Sequence, residues 1–262
     1  MIVDLFRKAE RITMIARLTV LENSRKHVFH VLLIAALAVI CSSTLLSFFT
    51  LGVQIKILKD LSITSIIICG GLLTVALASS GMTGELENRT LYPVLARPIV
   101  RGEFLLGKYL GTLATVYAGL AAIILAFAII LVRHGGHIDV GFLTAIAFAL
   151  LQVALIAAVA TLLSVMMTSA MAGMLALLIY ICGSIKMGYL QHLADSSGGV
   201  AKTAFMIFYH MLPNLESFNF KDALVHGLPV PGAYLIHVAI YGVVYSSIAL
   251  MVASEVLARK EL

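Results

Sequence analysis

Six long apolar runs decide what this chain can fold into. They occupy residues 28–50, 61–80, 109–132, 142–167, 170–190 and 233–257. Each run is close to or above the roughly 20 mostly apolar residues that an α-helix needs to cross a bilayer. Helices also satisfy the backbone hydrogen bonds of a segment in lipid. Because 61% of the 262 residues are hydrophobic, we predict an all-α integral membrane protein, one domain over residues 1–262 with six transmembrane helices.

The basic residues predict the orientation. With six spans both termini share one side, and that side carries Arg7, Lys8, Arg11, Arg17, Arg25, Lys26, Arg89, Arg97, Arg101, Lys108, Arg259 and Lys260. The opposite side carries only Lys56, Lys59, Arg133, Lys202 and Lys221. The positive-inside rule therefore places both termini in the cytoplasm. We interpret the basic charge as topology and contact with anionic membrane lipid, not as nucleic-acid binding.

Three segments outside the spans have distinct patterns. Residues 1–27 place apolar side chains on one helical face and charges on the other, which predicts an N-terminal amphipathic interfacial helix. Residues 81–107 form the sizeable internal cytoplasmic loop. Residues 191–232 form the longest outer segment, and the apolar stretch 204–212 is too short to cross. We predict that this stretch is a re-entrant or surface helix before the last span.

One stretch comes close to a phosphate-binding loop. Gly102, Gly107 and Lys108 match GxxxxGK[ST], but Tyr109 stands where Ser or Thr would hold magnesium. No strand precedes the glycines, and the helix that follows is a predicted span. We therefore predict no nucleotide site and no cofactor in this chain.

Histidines and cysteines are the candidate metal ligands. The outer side holds six of the eight histidines: His134, His137, His192, His210, His226 and His237. The pair in HGGH, residues 134–137, lacks a third ligand at metal-binding spacing, so we interpret these histidines as solvated loop side chains. Cys41, Cys69 and Cys182 fall inside predicted spans without CxxC spacing. We predict neither a metal site nor a disulfide framework.

The charged stretch between the second and third runs carries a motif. Its members are Glu85, Glu87, Thr90, Leu91, Leu95, Pro98, Arg101, Gly107 and Lys108. They resemble the E-x-E-x-x-T-L...L-x-x-P-x-x-R-x-x-x-x-G-K pattern after the second span of type-2 ATP-binding-cassette (ABC) permeases. PNLESFNFKDALVHG, residues 213–227, is similar to the corresponding stretch of the NosY-like subgroup.

This resemblance implies a type V exporter fold in a bacterial-type plasma (inner) membrane. Two copies of the chain would form a homodimer, and each copy would dock a separate ABC ATPase subunit that holds ATP and Mg. The loop after the second span would be the coupling helix. The residues that the resemblance assigns to ATPase coupling are Glu85, Glu87, Arg89, Thr90, Leu95, Pro98 and Arg101. Arg89 departs from the pattern, which often has Gly before the Thr.

Hydroxyl side chains of the second span are our candidates for the substrate path. They are Ser62, Thr64, Ser65 and Thr74. Two other functions stay open on the sequence. An integral-membrane enzyme acting on lipids or peptides would use the outer histidines, whereas an ion-coupled secondary transporter would work without an ATPase. An ATPase gene beside this one favours the permease, and hydrolytic activity of the isolated chain favours the enzyme.

Overall fold

The computed structural model describes residues 2–46, 54–87, 101–133, 139–184, 212–221 and 230–259, with side chains except in 2–7, 43–46, 54 and 82–87. These residues form seven α-helices and one 3-10 turn, and no strand occurs among them. The helices are α1 (Ile2–Ser24), α2 (His27–Leu46), α3 (Gln54–Glu87), α4 (Arg101–Arg133), α5 (Val140–Met166), α6 (Ser169–Ser184) and α7 (Gly232–Arg259). The predicted all-α class is confirmed for this part of the chain.

Four helices are long and apolar enough to cross a membrane. They are α3, α4, α5 and α7. α1 and α2 meet at a bend of 67°, and they add a fifth span if the pair is one broken span. The described part of α6 has 16 residues, which is short for a crossing. The chain is thus a multi-pass membrane protein, and the count of six spans stays a prediction.

α3 and α4 are longer than the apolar runs within them. They contain 34 and 33 residues, or about 50 Å each at 1.5 Å per residue, against a hydrocarbon core of ~30 Å. Both ends of the predicted loop 81–107 are therefore helical, because α3 continues to Glu87 and α4 begins at Arg101. Glu and Leu favour a helix in water as well as in lipid, and α3 continues through Gly81 and Gly84 although glycine disfavours a helix, so an apolar run does not mark where such a helix ends.

α5 is the central helix, and α7 lies at the edge. The most apolar window of α5 is 67% buried, whereas that of α7 is 22% buried. α5 packs mainly against α3 and α7. The buried face of α5 is rich in alanine, including Ala149, Ala157 and Ala158. Small side chains let helix backbones approach closely, which stabilises packing in membranes.

A pair of glycines in α3 receives side chains from three helices. A β-carbon on Gly70 would lie 3.2 Å from side-chain atoms of both Leu120 in α4 and Val153 in α5. A β-carbon on Gly71 would overlap the ring of Tyr180 in α6. The contact between the second and fifth predicted spans therefore requires glycine at this position.

Tyrosine hydroxyls also connect the helices. Tyr109 and Tyr117 of α4 donate to the carbonyl oxygens of Ala154 and Leu150 in α5, at 3.1 and 2.9 Å. Such bonds are worth on average about 0.6 kcal/mol between membrane helices, so they orient the helices more than they hold them together.

The segment before α7 packs on the ends of α5, α6 and α7. The backbone N–H of Leu215 donates to the carbonyl oxygen of Gly183 at 3.0 Å, and Phe218 packs against Gly242. The ring of Phe220 contacts those of Phe148 and Tyr234. The predicted outer helix at 204–212 lies outside the described residues except for Leu212.

Candidate functional site

The predicted coupling motif begins on α3. Glu85 and Glu87 belong to the last turns of this helix, beyond Gly81, where the candidate span ends. They lie on the same continuous helix as the second predicted span. Four of the residues assigned to ATPase coupling, Arg89, Thr90, Leu95 and Pro98, lie outside the described residues, so their coupling role stays a prediction.

Arg101 contacts the end of α7. Its Nη1 donates to the carbonyl oxygens of Leu257 and Ala258, at 2.8 and 3.1 Å. The last carbonyls of a helix have no partner within it and carry partial negative charge, so a guanidinium there stabilises the end of α7. Arg101 has this role within the chain, and its contact with an ATPase stays a prediction.

The last two motif residues, Gly107 and Lys108, face α1. The two helices run in the same direction: Arg11 lies beside Glu103, Ile15 beside Gly107, and Thr19 beside Gly111. These pairs advance four residues at a time on both helices, so the contact stays in register for more than two turns.

Glycine allows this close approach. A β-carbon on Gly107 would lie 2.7 Å from Cβ of Ile15 and 3.1 Å from the carbonyl oxygen of Ile12. On Gly111, it would lie 2.6 Å from the carbonyl oxygen of Ala16. Because backbone atoms cannot move aside as a long side chain can, larger residues would separate α1 from α4.

Polar pairs flank the glycine contact. The Nη1 atom of Arg11 lies 3.6 Å from Oε2 of Glu103, which is buried at the start of α4. A carboxylate in the first turn of a helix is also stabilised by the helix dipole. At the other end, Nδ2 of Asn23 donates to Oγ1 of Thr112 at 3.4 Å.

Four side chains form a junction network, defined as Glu22, Lys26, Ser80 and Lys108. The two carboxylate oxygens of Glu22 bind different cations: Oε1 lies 3.1 Å from Nζ of Lys26, and Oε2 lies 3.1 Å from Nζ of Lys108. Nζ of Lys26 also donates to Oγ of Ser80 at 3.1 Å. The network joins α1, α3 and α4 where α1 meets α2.

Burial makes the Glu22 carboxylate important for Lys108. The Lys108 side chain is 8% exposed, and an ammonium group at that depth needs a hydrogen-bonded counter-charge. Sequence reasoning assigned Gly107 and Lys108 to the coupling motif and missed their contact with α1. The spacing Gly107-x-x-x-Gly111 was the available signal, because small residues four apart mark close helix contacts.

The predicted substrate-path hydroxyls lie inside the helix bundle. Ser62, Ser65 and Thr74 are buried, and each donates to a carbonyl of its own helix. Thr64 is partly buried and donates to the Asp60 carbonyl at 2.8 Å. Among the described residues, a cleft of about 310 Å³ lies elsewhere, between α4 and α7. Its lining residues are Gly102, Leu105, Leu106, Ser247, Leu250, Met251 and Ser254. The assignment of the α3 hydroxyls to a substrate path stays a prediction.

Two ion pairs join residues that the sequence predicts to lie on the outer side. Nζ of Lys221 lies 3.0 Å from Oδ1 of Asp60, so the segment before α7 is bound to the start of α3. Lys59 pairs with Asp139, the residue that precedes α5.

Of the six histidines predicted on the outer side, the structure describes His237, which is on α7. Its Nδ1 lies 2.6 Å from the carbonyl oxygen of Ala233. The others lie outside the described residues, among which no three potential metal ligands come together.

The stretch that resembles a phosphate loop is helical. Residues 102–108 all belong to α4. Nζ of Lys108 lies against the Glu22 carboxylate. A phosphate-binding loop instead needs a Gly-rich turn whose N–H groups surround the anion, and this segment has a different backbone.

Comparison with known proteins gives one family. A family model described as "ABC-2 family transporter protein" matches residues 32–224. The matched range runs from within α2 to just beyond the segment that packs on Gly183. The search of curated proteins found no match.

Proposed function

Because the chain belongs to the ABC-2 family of transporter proteins, we propose that it is the permease of an exporter, driven by a separate ATPase subunit. Family membership makes the chain a membrane permease component of an ABC transporter, and members generally pair with ABC ATPases. The proposal adds the export direction, a NosY-like subgroup, a homodimer, six spans, and an inner membrane with both termini in the cytoplasm. ATP and Mg would bind the partner subunit, where hydrolysis occurs.

The continuity of α3 carries the proposal. The helix extends without a break from Gln54 to Glu87, so the segment that carries Glu85 and Glu87 belongs to the same helix as a candidate span. An ATPase that binds this segment would act on the end of a helix about 50 Å long. Displacement of a rigid element is a common way for a protein to transmit conformational change.

The charges at this end suit a protein partner. The positive-inside rule accounts for the arginines of the cytoplasmic loop but not for Glu85 and Glu87, because acidic residues contribute little to it. Acidic side chains at a helix end can pair with cations of a soluble subunit. Close charge pairs at an interface contribute a few kcal/mol when desolvated and much less at a solvated rim.

Charge reversal tests this proposal. The complex is purified from its host membranes through a tag on this chain. Glu85→Lys/Glu87→Lys is expected to reduce ATPase recovery at least tenfold, or to leave the ATPase bound but no longer driving transport. Insertion should persist, because added positive charge agrees with the topology.

Glu10→Lys is the matched control, because Glu10 is an exposed glutamate on α1. It should retain normal recovery of the ATPase. A matching charge reversal on the ATPase should restore part of the loss in the Glu85→Lys/Glu87→Lys variant. Normal assembly and transport in that double variant would refute the coupling role. Absence of any ATPase from the wild-type preparation would refute the proposed function itself.

A further inference from the structure

The junction network lies where three helices meet, next to the proposed coupling segment. We propose that Lys26 and Ser80 are positioning residues that pass movement of the α3 end to the bend between α1 and α2. The inference rests on the proposed function, since it takes a bound ATPase to be the source of the movement.

The first step is the rigidity of α3. Ser80 is five residues before Glu85 on the same unbroken helix, a distance of about 7.5 Å along the axis. Its hydroxyl donates to its own helix at the carbonyl of Ala76, at 3.0 Å, and accepts from Lys26. Ser80 therefore moves with the coupling segment.

The second step is the position of Lys26. It is one of the two residues between α1 and α2, where the helix direction changes by 67°. Backbone bonds from Lys26 N–H to the Asn23 carbonyl, and from Phe29 N–H to the Lys26 carbonyl, hold it to both helices. A displacement of Ser80 acts on the bend itself through Nζ of Lys26.

The third step is the anchoring of α1. Gly107 and Gly111 hold α1 tightly against α4, and Lys108 binds Glu22 at the end of the contact. A force on Lys26 therefore changes the bend more readily than it separates α1 from α4. The helix that responds is α2, which begins at His27.

Charge neutralisation alone does not require Ser80. The ammonium group of Lys26 already has the Glu22 carboxylate at 3.1 Å. Ser80→Ala removes one oxygen and leaves each charge of the network in place. The Ser80→Ala variant therefore tests the transmission of movement without changing the charges that stabilise the junction network.

The experiment measures the bend in the complete complex. Cys41, Cys69 and Cys182 are replaced by alanine, and spin labels are placed at two exposed positions, Arg17→Cys on α1 and Val39→Cys on α2. The distance between the labels is measured in lipid nanodiscs with ADP and with ATP plus vanadate. We expect a nucleotide-dependent shift in the otherwise unchanged complex.

Each of Ser80→Ala and Lys26→Met should reduce that shift at least twofold. The Ser80→Ala/Lys26→Met double variant should lose no more of the shift than the more strongly affected single variant, because the two residues act through one contact. Lys26→Arg should restore part of the shift, since it keeps a donor cation. The matched controls, Lys8→Met and Ser24→Ala on α1, should keep the full shift.

An undiminished shift in Ser80→Ala, or an equal loss in the controls, would overturn the inference. ATP hydrolysis by the bound ATPase is measured in the same samples. Normal hydrolysis with no shift at the bend overturns this inference alone. Absence of a bound ATPase overturns the proposed function and this inference together.

Discussion

Tyr180 donates a hydrogen bond of 2.9 Å to the carbonyl oxygen of Ile67, one turn before Gly71 on α3. The tyrosine ring lies across Gly71 and fills the space that any larger side chain would need. The contact between α3 and α6 thus depends on the space that Gly71 leaves for the Tyr180 ring and on the hydrogen bond from Tyr180 to Ile67 beside it.

Gly71→Ala should destabilise the protein by about 2 kcal/mol, because overpacking typically costs 1–3 kcal/mol. Gly81→Ala on the same helix is the matched control, since a β-carbon there meets nothing within 4 Å. The control should be neutral or slightly stabilising, because alanine favours a helix by up to about 1 kcal/mol over glycine. Unfolding in mixed detergent measures both, and equal stability of the two variants would contradict the assignment.

Gly107→Ala should loosen α1 from α4, because the new methyl group would press on Ile15 and on the Ile12 carbonyl. A loss of 1.4 kcal/mol corresponds to about tenfold faster hydrogen exchange across α1 when exchange follows local opening. Gly102→Ala on the same helix has open space around it and is the control. Unchanged exchange in Gly107→Ala would mean that α1 does not depend on this contact.

The ion pair between Lys221 and Asp60 should contribute about 0.5–1 kcal/mol, because both side chains are partly exposed, 28% and 36%. A double-mutant cycle with Lys221→Met and Asp60→Asn measures it, and the coupling should fall in 1 M salt. The same cycle with Lys8→Met in place of Lys221→Met should give almost no coupling, since Lys8 is exposed on α1 whereas Asp60 lies near the start of α3. If the coupling energy did not change in 1 M salt, the pair would not act through solvent-exposed charges.

The proposed homodimer should form through α2 and α6, the first and fifth predicted spans, because the resemblance to type-2 ABC permeases implies that these two spans lie at the subunit contact. Both helices present exposed apolar side chains, among them Ile34 and Met174. Single cysteines at these positions should crosslink between copies in native membranes. A cysteine at Leu125, exposed on α4, is the control, and crosslinking there alone would place the interface on another face.

The sequence predicted the helices well because the length and polarity of a segment govern membrane insertion. All six predicted spans begin within two residues of a helix start or lie inside a longer helix, as α4 from Arg101 illustrates. Helix ends were less predictable. Glu85 and Glu87 were predicted on a coupling helix within the loop 81–107, but α3 continues through Gly81 and Gly84 to reach them, although glycine disfavours a helix.

Helix pairing could not be predicted from one sequence. The positions of Ile15, Gly107 and Thr19 are fixed by shape complementarity between segments far apart in the chain. The same holds for the buried cation of Lys108, whose partner Glu22 is 86 residues away. The sequence motif singled out Gly107 and Lys108, but it did not indicate Ile15, Thr19 or Glu22 as their neighbours.

The packing of α1 on α4 has a consequence for synthesis. The contact joins residues 86 positions apart, so α1 leaves the ribosome before its binding face on α4 exists. At about 5–20 residues per second, the interval is roughly 4–17 s. During that time the apolar side chains of α1 need another surface, and the nearest is the bilayer that receives α2 and α3. An amphipathic first helix is thus suited to two successive environments, first the lipid surface and then the glycine face of α4.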